Sequence, residues 1–188
     1  MEQAVAALAA IREPKSLAAL RGILDTSNDT SWNSAAIRAL GALGEKDLAP
    51  RFLQIAENLK RPLAPAALIA LADLGEFKAL PQVREGLKSR NDRVVLASAR
   101  AAGKLLKATG VKADGVRDRL ASLLADADSA EELRAAALDA LLALKDTRLE
   151  AALTACARDA GLEGSSLLER TERLLRERKI KLNLLSNH

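Results

Sequence analysis

The sequence predicts an all-α protein, a right-handed superhelix of about five stacked helical hairpins followed by a C-terminal capping helix. Nearly the same eleven residues occur twice, as AAIRALGALGE at 35–45 and AALIALADLGE at 66–76. Hydrophobic residues make up 49% of the 188 residues, but aromatic residues only 2%. Alanine and leucine, which favour helices, take the place of the residues typical of strands. Each copy is followed by a short break and a second apolar stretch, which predicts a hairpin.

The repeated stretch contains one face of an α-helix. Ala36, Ala39, Leu40 and Leu43 follow the spacing i, i+3, i+4, i+7. We expect this face, and its equivalents along the chain, to be buried between the first helices of neighbouring hairpins. The equivalent sets are Ala67, Ala70, Leu71 and Leu74; Ser98, Ala101, Ala102 and Leu105; Ala137, Ala140, Leu141 and Leu144; and Ala4, Ala7, Leu8 and Ile11.

The second apolar stretches predict the second helix of each hairpin. Gly44 and Gly75 stand where a helix C-terminus requires a positive φ. Pro50 and Pro81 match each other near the start of a second helix, where a missing N–H costs little. The inward positions of the second helices are predicted to be Leu20, Phe52, Val83, Leu120 and Leu153.

Polar links between the hairpins supply candidate helix caps. Asp25 and Asp29 are interpreted as capping or turn residues, and Ser129 with Glu132 fits a capping box. Trp32, the single tryptophan, lies in the most polar link. It either packs on the start of the following helix or anchors a partner at the mouth of a groove.

The pattern divides the chain into a repeat region at 2–160 and a C-terminal helix and tail at 161–188. The amphipathic stretch at 165–178 either caps the open end of the stack or is the first helix of a sixth repeat. The predicted repeat units lie near 2–25, 31–58, 62–88, 91–125 and 129–160.

The paired helices resemble HEAT repeats. The resemblance is carried by the period near 31, the pattern Ala-x-x-Ala-Leu-x-x-Leu-Gly-(Glu/Asp), and the stretch ALPQV at 79–83. The short period is most similar to the bacterial HEAT-like class first described in phycobilisome lyases, and the likeness covers roughly residues 2–160. It implies an armadillo-like helical solenoid. Most members of the class are binding scaffolds, and few are enzymes.

The residue content argues against catalysis. The chain has one histidine, His188, and one cysteine, Cys156, which we expect to be a small buried residue. Metal sites need clustered ligands, and the His-Glu pairs of HEAT-repeat hydroxylases are absent. A phosphate-binding glycine-rich loop is also absent. A DNA glycosylase of this class would need more aromatic residues. We therefore predict no catalytic residue, no metal and no cofactor.

In HEAT-type stacks the second helices line the concave face, and here their outward positions are rich in cations. They predict a mildly positive groove for an extended or acidic protein partner. We expect Arg51 and Arg117 to be dispensable for stability if they face this groove. The predicted partner-binding residues are Lys15, Arg21, Arg51, Gln54, Gln82, Lys88, Arg117 and Arg148, with Trp32 as a candidate anchor.

Two alternatives to a protein-interaction scaffold stay open. One is nucleic-acid binding through the same groove, which is not favoured because acidic residues interrupt a basic track and the net charge is only +4. The other, suggested by the resemblance, is a lyase-like chaperone of a cofactor or chromophore. We expect a monomer, no secretory signal and no membrane segment. The default location is cytoplasmic unless a longer parent protein is exported, and the chain is expected to be a segment of such a protein.

Overall fold

The structure is a computed structural model that describes residues 2–11 and 13–178. Every regular element in this part of the chain is helical, which confirms the all-α class. The chain divides into two compact units, Met1–Val111 and Lys112–His188, and each is described by itself. The division falls inside the predicted repeat unit 91–125. The predicted repeat boundaries and the handedness of the superhelix stay predictions.

The described helices are numbered in chain order, so that odd numbers mark first helices and even numbers second helices of the hairpins. Short 3-10 turns at Lys46–Leu48 and Phe77–Ala79 lead into two of the second helices. The N-terminal unit contains α1 (Glu2–Ile11), α2 (Pro14–Thr26), α3 (Thr30–Leu43), α4 (Ala49–Ala56), α5 (Ala64–Asp73), α6 (Leu80–Gly86) and α7 (Asp92–Thr109). The C-terminal unit contains α8 (Asp114–Ala125), α9 (Glu131–Leu144), α10 (Leu149–Ala157) and α11 (Ser166–Glu177).

The first helices of the N-terminal unit stack in chain order. Helix α1 packs on α3, α3 on α5 and α5 on α7, and the last two contacts are the most extensive in the protein. Each second helix packs on the first helix that follows it: α2 on α3, α4 on α5 and α6 on α7. The eleven residues recur because the same contact between successive hairpins recurs.

The predicted inter-helix face is buried in these hairpins. Ala36, Leu40, Ala67 and Leu71 are fully buried, and so are the inward positions predicted for the five second helices. The outer edge of the face is less buried than expected. Ala39 is only half-buried, whereas its equivalent Ala70 is fully buried. Leu43, Leu74 and Leu144 are likewise half-buried.

Helix α1 departs from the predicted face. Ile11 is 54% exposed and Ala7 is exposed, whereas Val5 is buried. The predicted face is therefore wrong in this copy at Ala7 and Ile11. Helix α1 packs on α2 and α3, with Val5 buried and Leu8 half-buried.

The glycines and prolines end and begin helices as predicted. Gly44 and Gly75 have φ values of 86° and 69°, a left-handed conformation that side chains disfavour. Pro50 and Pro81 lie in the first turns of α4 and α6. The turn after α9 has no glycine at this position, and there Lys145 takes a positive φ of 50°.

The predicted caps are confirmed in part. The Asp29 carboxylate accepts hydrogen bonds from the backbone N–H groups of Ser31 and Trp32 at the start of α3. The capping box at Ser129 is wrong. Helix α9 begins one residue later, with Ala130 at the N-cap position, and the Ser129 hydroxyl donates to Asp126 at 2.8 Å.

In the C-terminal unit, α11 packs as a first helix would. It lies on α10 and also contacts α9, as α5 and α7 lie on the second helix and the first helix before them. The Arg170 guanidinium of α11 binds Asp139 of α9 at 2.5 Å. Lys104 of α7 pairs in the same way with Asp73 of α5, and both pairs join residues 31 positions apart. These are the contacts of a first helix, and the two roles predicted for the stretch at 165–178 stay predictions.

Helices α3 and α5 approach most closely at Gly41. A Cβ atom on Gly41 would lie 2.5 Å from both Cα and Cβ of Ala70. Such distances are far inside van der Waals contact, so the two backbones can lie this close only because residue 41 has no side chain.

A buried hydroxyl at the α6–α7 contact gives a first testable prediction. Ser98 of α7 is 0% exposed, and its Oγ has no hydrogen-bond partner. Because a buried unsatisfied hydroxyl is costly, we expect Ser98→Ala to raise the free energy of unfolding by about 1 kcal/mol in urea titrations. The control is Ser122→Ala on the exposed face of α8, which we expect to change it by less than about 0.5 kcal/mol. A lower stability for Ser98→Ala would contradict this description of the contact.

Candidate functional site

The eight residues predicted to bind a partner are divided between the two units. Arg117 and Arg148 belong to the C-terminal unit, and the other six to the N-terminal unit. We call these eight the second-helix set. Their surroundings show how many of their positive charges are available to a partner.

Arg21 on α2 is bound to the turn that follows α3. Its guanidinium donates two hydrogen bonds to Asp47, at 2.7 and 2.9 Å, and a third to Glu45. This bidentate contact holds the pKa of Asp47 below its ordinary value. The charge of Arg21 is thus balanced by the next hairpin, and the contact joins two successive repeats.

Arg51 on α4 also pairs with a neighbouring hairpin, but its partner lies earlier in the chain. Its guanidinium donates to the Asp25 carboxylate at 2.6 Å and to the Leu24 carbonyl at 2.8 Å. The interpretation of Asp25 as a cap or turn residue is therefore wrong. Asp25 lies in the last turn of α2 and is the ion-pair partner of an arginine in the next second helix.

The C-terminal unit repeats this arrangement. Arg148, at the start of α10, donates to Asp118 at 2.5 Å and to Asp114 at 2.9 Å, both on α8. Arg117 on α8 donates to Asp146 at 2.7 Å, in the turn before α10. Asp146 also accepts from Arg148 at 3.2 Å, so one buried carboxylate serves two guanidinium groups.

The other four members of the second-helix set are two lysines and two glutamines. Lys15 and Gln54 are exposed, Gln82 is half-buried, and Lys88 pairs with Glu85 at 3.0 Å. All four arginines of the set thus have carboxylate partners, and most of those partners belong to a neighbouring hairpin. What these arginines do in the structure is hold successive hairpins together.

Trp32 lies inside α3, near its start, and is half-buried. Its backbone N–H donates to the Asp29 carboxylate at 3.2 Å. Neither of the two roles considered for its side chain is tested by this placement, and its role as an anchor stays a prediction.

The sequence did not reveal the buried arginine of the C-terminal unit. Arg134 on α9 is 1% exposed, pairs with Asp159 and donates to the Leu124 carbonyl at 3.1 Å. Its third contact is the Sγ of Cys156 at 3.4 Å, and this sulfur lies 3.7 Å from the Thr171 hydroxyl. Cys156 is buried, as expected, but its neighbours are polar as well as apolar. The arrangement joins α9, α10 and α11.

Arg117 and Arg51 differ in burial, so we expect their removal to change the free energy of unfolding by different amounts. The Arg117 side chain is 16% exposed and its partner Asp146 3%, whereas Arg51 and Asp25 are 41% and 60% exposed. We expect Arg117→Ala to lower the free energy of unfolding by about 2 kcal/mol, because it leaves a buried carboxylate with fewer partners. Arg51→Ala should cost less than about 1 kcal/mol. We thus expect only Arg51 to be dispensable for stability, and equal losses in urea titrations would refute the distinction.

The stability of the C-terminal unit should also depend on pH through Asp146. Burial raises the pKa of this carboxyl, but hydrogen bonds from Arg117 and Arg148 lower it more, so that it lies below the ordinary value of 3.8. The unfolded chain therefore takes up this proton more readily than the folded chain. The stabilisation is complete above about pH 5 and is lost as the pH falls through the folded-state pKa. We expect the urea midpoint to fall between pH 6 and pH 3 more in the wild type than in Asp146→Asn, and equal falls would contradict it.

The described residues offer few sites for other chemistry. Within residues 2–11 and 13–178 no group of three or more His, Cys, Asp or Glu side chains could hold a metal ion. No helix in that part of the chain is long and apolar enough to cross a membrane. His188 lies outside the described residues.

The stacked hairpins and the ion pairs between them define a helical-repeat protein. Residues 28–104 match the family model for HEAT repeats. This segment, which holds α3 to α6 and most of α7, therefore consists of HEAT repeats, and the resemblance seen in the sequence is confirmed there.

A curated relative shares part of the chain. The bilin biosynthesis protein PecE of Nostoc sp. (strain PCC 7120) is 31% identical over 98 residues, which are 52% of this chain and 39% of that protein. The chain thus matches well under half of this relative's length.

Proposed function

We propose that this chain is a non-enzymatic scaffold that binds an extended, acidic segment of a partner protein. HEAT repeats form a helical scaffold, and repeats of this kind usually mediate protein interactions. The single observation that carries the proposal is that charged side chains form ion pairs between neighbouring hairpins. Arginine–carboxylate pairs join successive hairpins at Arg21, Arg51 and Arg148, which suits a rigid platform rather than a catalytic cleft.

The nature of the lone thiol supports a non-enzymatic role. Cys156 is 0% exposed and contacts the guanidinium of Arg134, which itself is almost fully buried. A nucleophilic thiol must be partly exposed and must have a base within reach. Cys156 lacks the first of these features and serves the packing of α9, α10 and α11.

The test is selection from a random 16-residue peptide library displayed on phage, with the purified chain immobilised at 150 mM salt. We expect the enriched peptides to be rich in Asp and Glu and to bind the chain in solution by fluorescence anisotropy. Enrichment of no peptide, or of peptides without acidic residues, would refute an acidic partner. A chain unfolded with urea and immobilised in the same way is the control for binding to exposed apolar surface.

A role in handling bilins is the second candidate, and the likeness to PecE favours it. In that case the chain should bind an open-chain tetrapyrrole. We would titrate biliverdin into the purified chain and follow its visible absorption. A saturable shift of the long-wavelength band at a ratio of one to one would support this candidate, and an unchanged spectrum would remove it.

A further inference from the structure

Helix α1 of the N-terminal unit exposes an apolar side. Ile11 is 54% exposed, and Ala7 and Ala10 are exposed, whereas Val5 on the opposite side of the helix is buried. Ala7, Ala10 and Ile11 follow the spacing i, i+3, i+4 and so share one face, which we call the α1 face. From residue 4 to residue 11 the sequence has no polar side chain. A helix that is apolar all round is normally buried all round.

Helix α5 shows what covers the equivalent face within the same unit. It too is almost entirely apolar, and it is buried because α3 and α7 both pack on it. Ala70 of α5, the equivalent of Ala7, is fully buried, and it lies against Gly41 of α3. The α1 face therefore continues the interface between first helices, and a helix with small side chains at the contact fits it.

Helix α11 of the C-terminal unit shows the composition of a helix with one side in solvent. Leu167 and Leu175 are buried, whereas Glu169, Arg173 and Arg176 are exposed. Helices at the ends of a solenoid need such a polar outer side to remain soluble. The α1 face has no polar side chain, so it is suited to contact with another helix rather than with water.

The α1 face is complementary to itself. Positions 7 and 11 lie at equal distances on either side of position 9, and so do positions 8 and 10. In an antiparallel pair of α1 helices with a two-fold axis at position 9, Ile11 of each copy meets Ala7 of the other. The half-buried Leu8 likewise meets Ala10. A large side chain thus lies opposite a small one in both kinds of contact, and no charge is buried.

From these observations we infer that two copies of this chain associate through their α1 faces. A face on a single helix is smaller than the about 800 Å² that each partner buries in a stable complex, so the dissociation constant should be on the order of 100 µM. This dimer replaces the monomer expected from the sequence. It does not depend on the proposed function, but it would present two binding surfaces to a partner protein.

The test is sedimentation equilibrium of the full chain from about 5 µM to about 1 mM. We expect the mass to rise from that of one chain, 20.0 kDa, to that of two. Ile11→Glu places a charge on the α1 face and should weaken the association at least tenfold. The matched control is Phe77→Glu, because Phe77 is a large apolar residue that is 58% exposed outside the α1 face. We expect this control to associate within twofold of the wild type.

The two-fold register is tested by exchanging residues 7 and 11. Ala7→Ile alone brings two isoleucines together, and Ile11→Ala alone leaves a gap, so each should weaken the dimer at least threefold. The double variant Ala7→Ile/Ile11→Ala again sets an isoleucine opposite an alanine and should return the dissociation constant to within about twofold of the wild type. Non-specific apolar association would instead be stronger in Ala7→Ile, which enlarges the exposed apolar surface. Circular dichroism of each variant verifies its helical fold.

Several results would overturn the inference. They are a monomer at every concentration, equal association of Ile11→Glu and Phe77→Glu, assemblies of more than two copies, and a double variant that associates no more tightly than the two single variants. The first of these results means that the α1 face is left to a different partner, and the last that two copies do not meet about position 9.

Discussion

Ala70→Leu and Gly41→Ala should each lower the free energy of unfolding by about 3 kcal/mol. The Cβ of an alanine at 41 would lie 2.5 Å from the backbone of Ala70, and Ala70 itself is fully buried. Helices α3 and α5 would have to move apart, which breaks this close contact between two successive repeats. Overpacking of this kind costs about 1–3 kcal/mol, and we expect the upper end because the collision is with backbone atoms.

A matched control for this prediction lies in α2. Gly22 is also within a helix, but a Cβ on it would meet nothing within 4 Å. Gly22→Ala should therefore raise the stability by about 0.5 kcal/mol through helix propensity. Urea titrations of the three variants measure the difference. If Gly41→Ala is as stable as Gly22→Ala, α3 and α5 do not cross at residue 41.

Arg134→Ala should be the most harmful single change in the C-terminal unit. It removes the partner of Asp159 and the donor to the Leu124 carbonyl, and it leaves a cavity between α9 and α10. Loss of one partner of a buried ion pair costs about 3–5 kcal/mol. We expect a fall of this size in the free energy of unfolding, or failure to fold at 37 °C.

The control for Arg134 is Arg170→Ala, which removes an equal charge from an exposed pair. The Arg170 and Asp139 side chains are 37% and 62% exposed. This change should cost less than about 1 kcal/mol. To separate the lost charge from the lost volume, Arg134→Met fills much of the space, and it should recover part of the stability. Similar stabilities for Arg134→Ala and Arg170→Ala would show that Arg134 is not buried as described.

The helices and turns could be predicted from the sequence because their signals are local. The i, i+3, i+4, i+7 spacing decides which face of a helix is apolar, and a glycine after an apolar run marks its end. Gly44, Gly75, Pro50 and Pro81 were placed correctly for this reason. Helix α1 was not, because an alanine-rich helix such as AVAALAAI offers more than one apolar face.

The roles of the charged residues could not be predicted in the same way. The sequence around an arginine on an amphipathic helix does not show whether its partner is solvent, a ligand or a carboxylate of the next hairpin. Arg21, Arg51 and Arg148 find partners 24–34 positions away, and only the stacking of the hairpins brings them together.

The stacking of successive repeats is tested most directly by NMR on chain labelled at its alanine methyl groups. In the described structure the Ala70 methyl group of α5 faces the α-protons of Gly41 in α3. A strong nuclear Overhauser effect between them is the expected result, and it should disappear in Ala70→Gly. A well-dispersed spectrum of the folded chain without this cross-peak would contradict the packing of α3 on α5, and with it the repeat stack of the N-terminal unit.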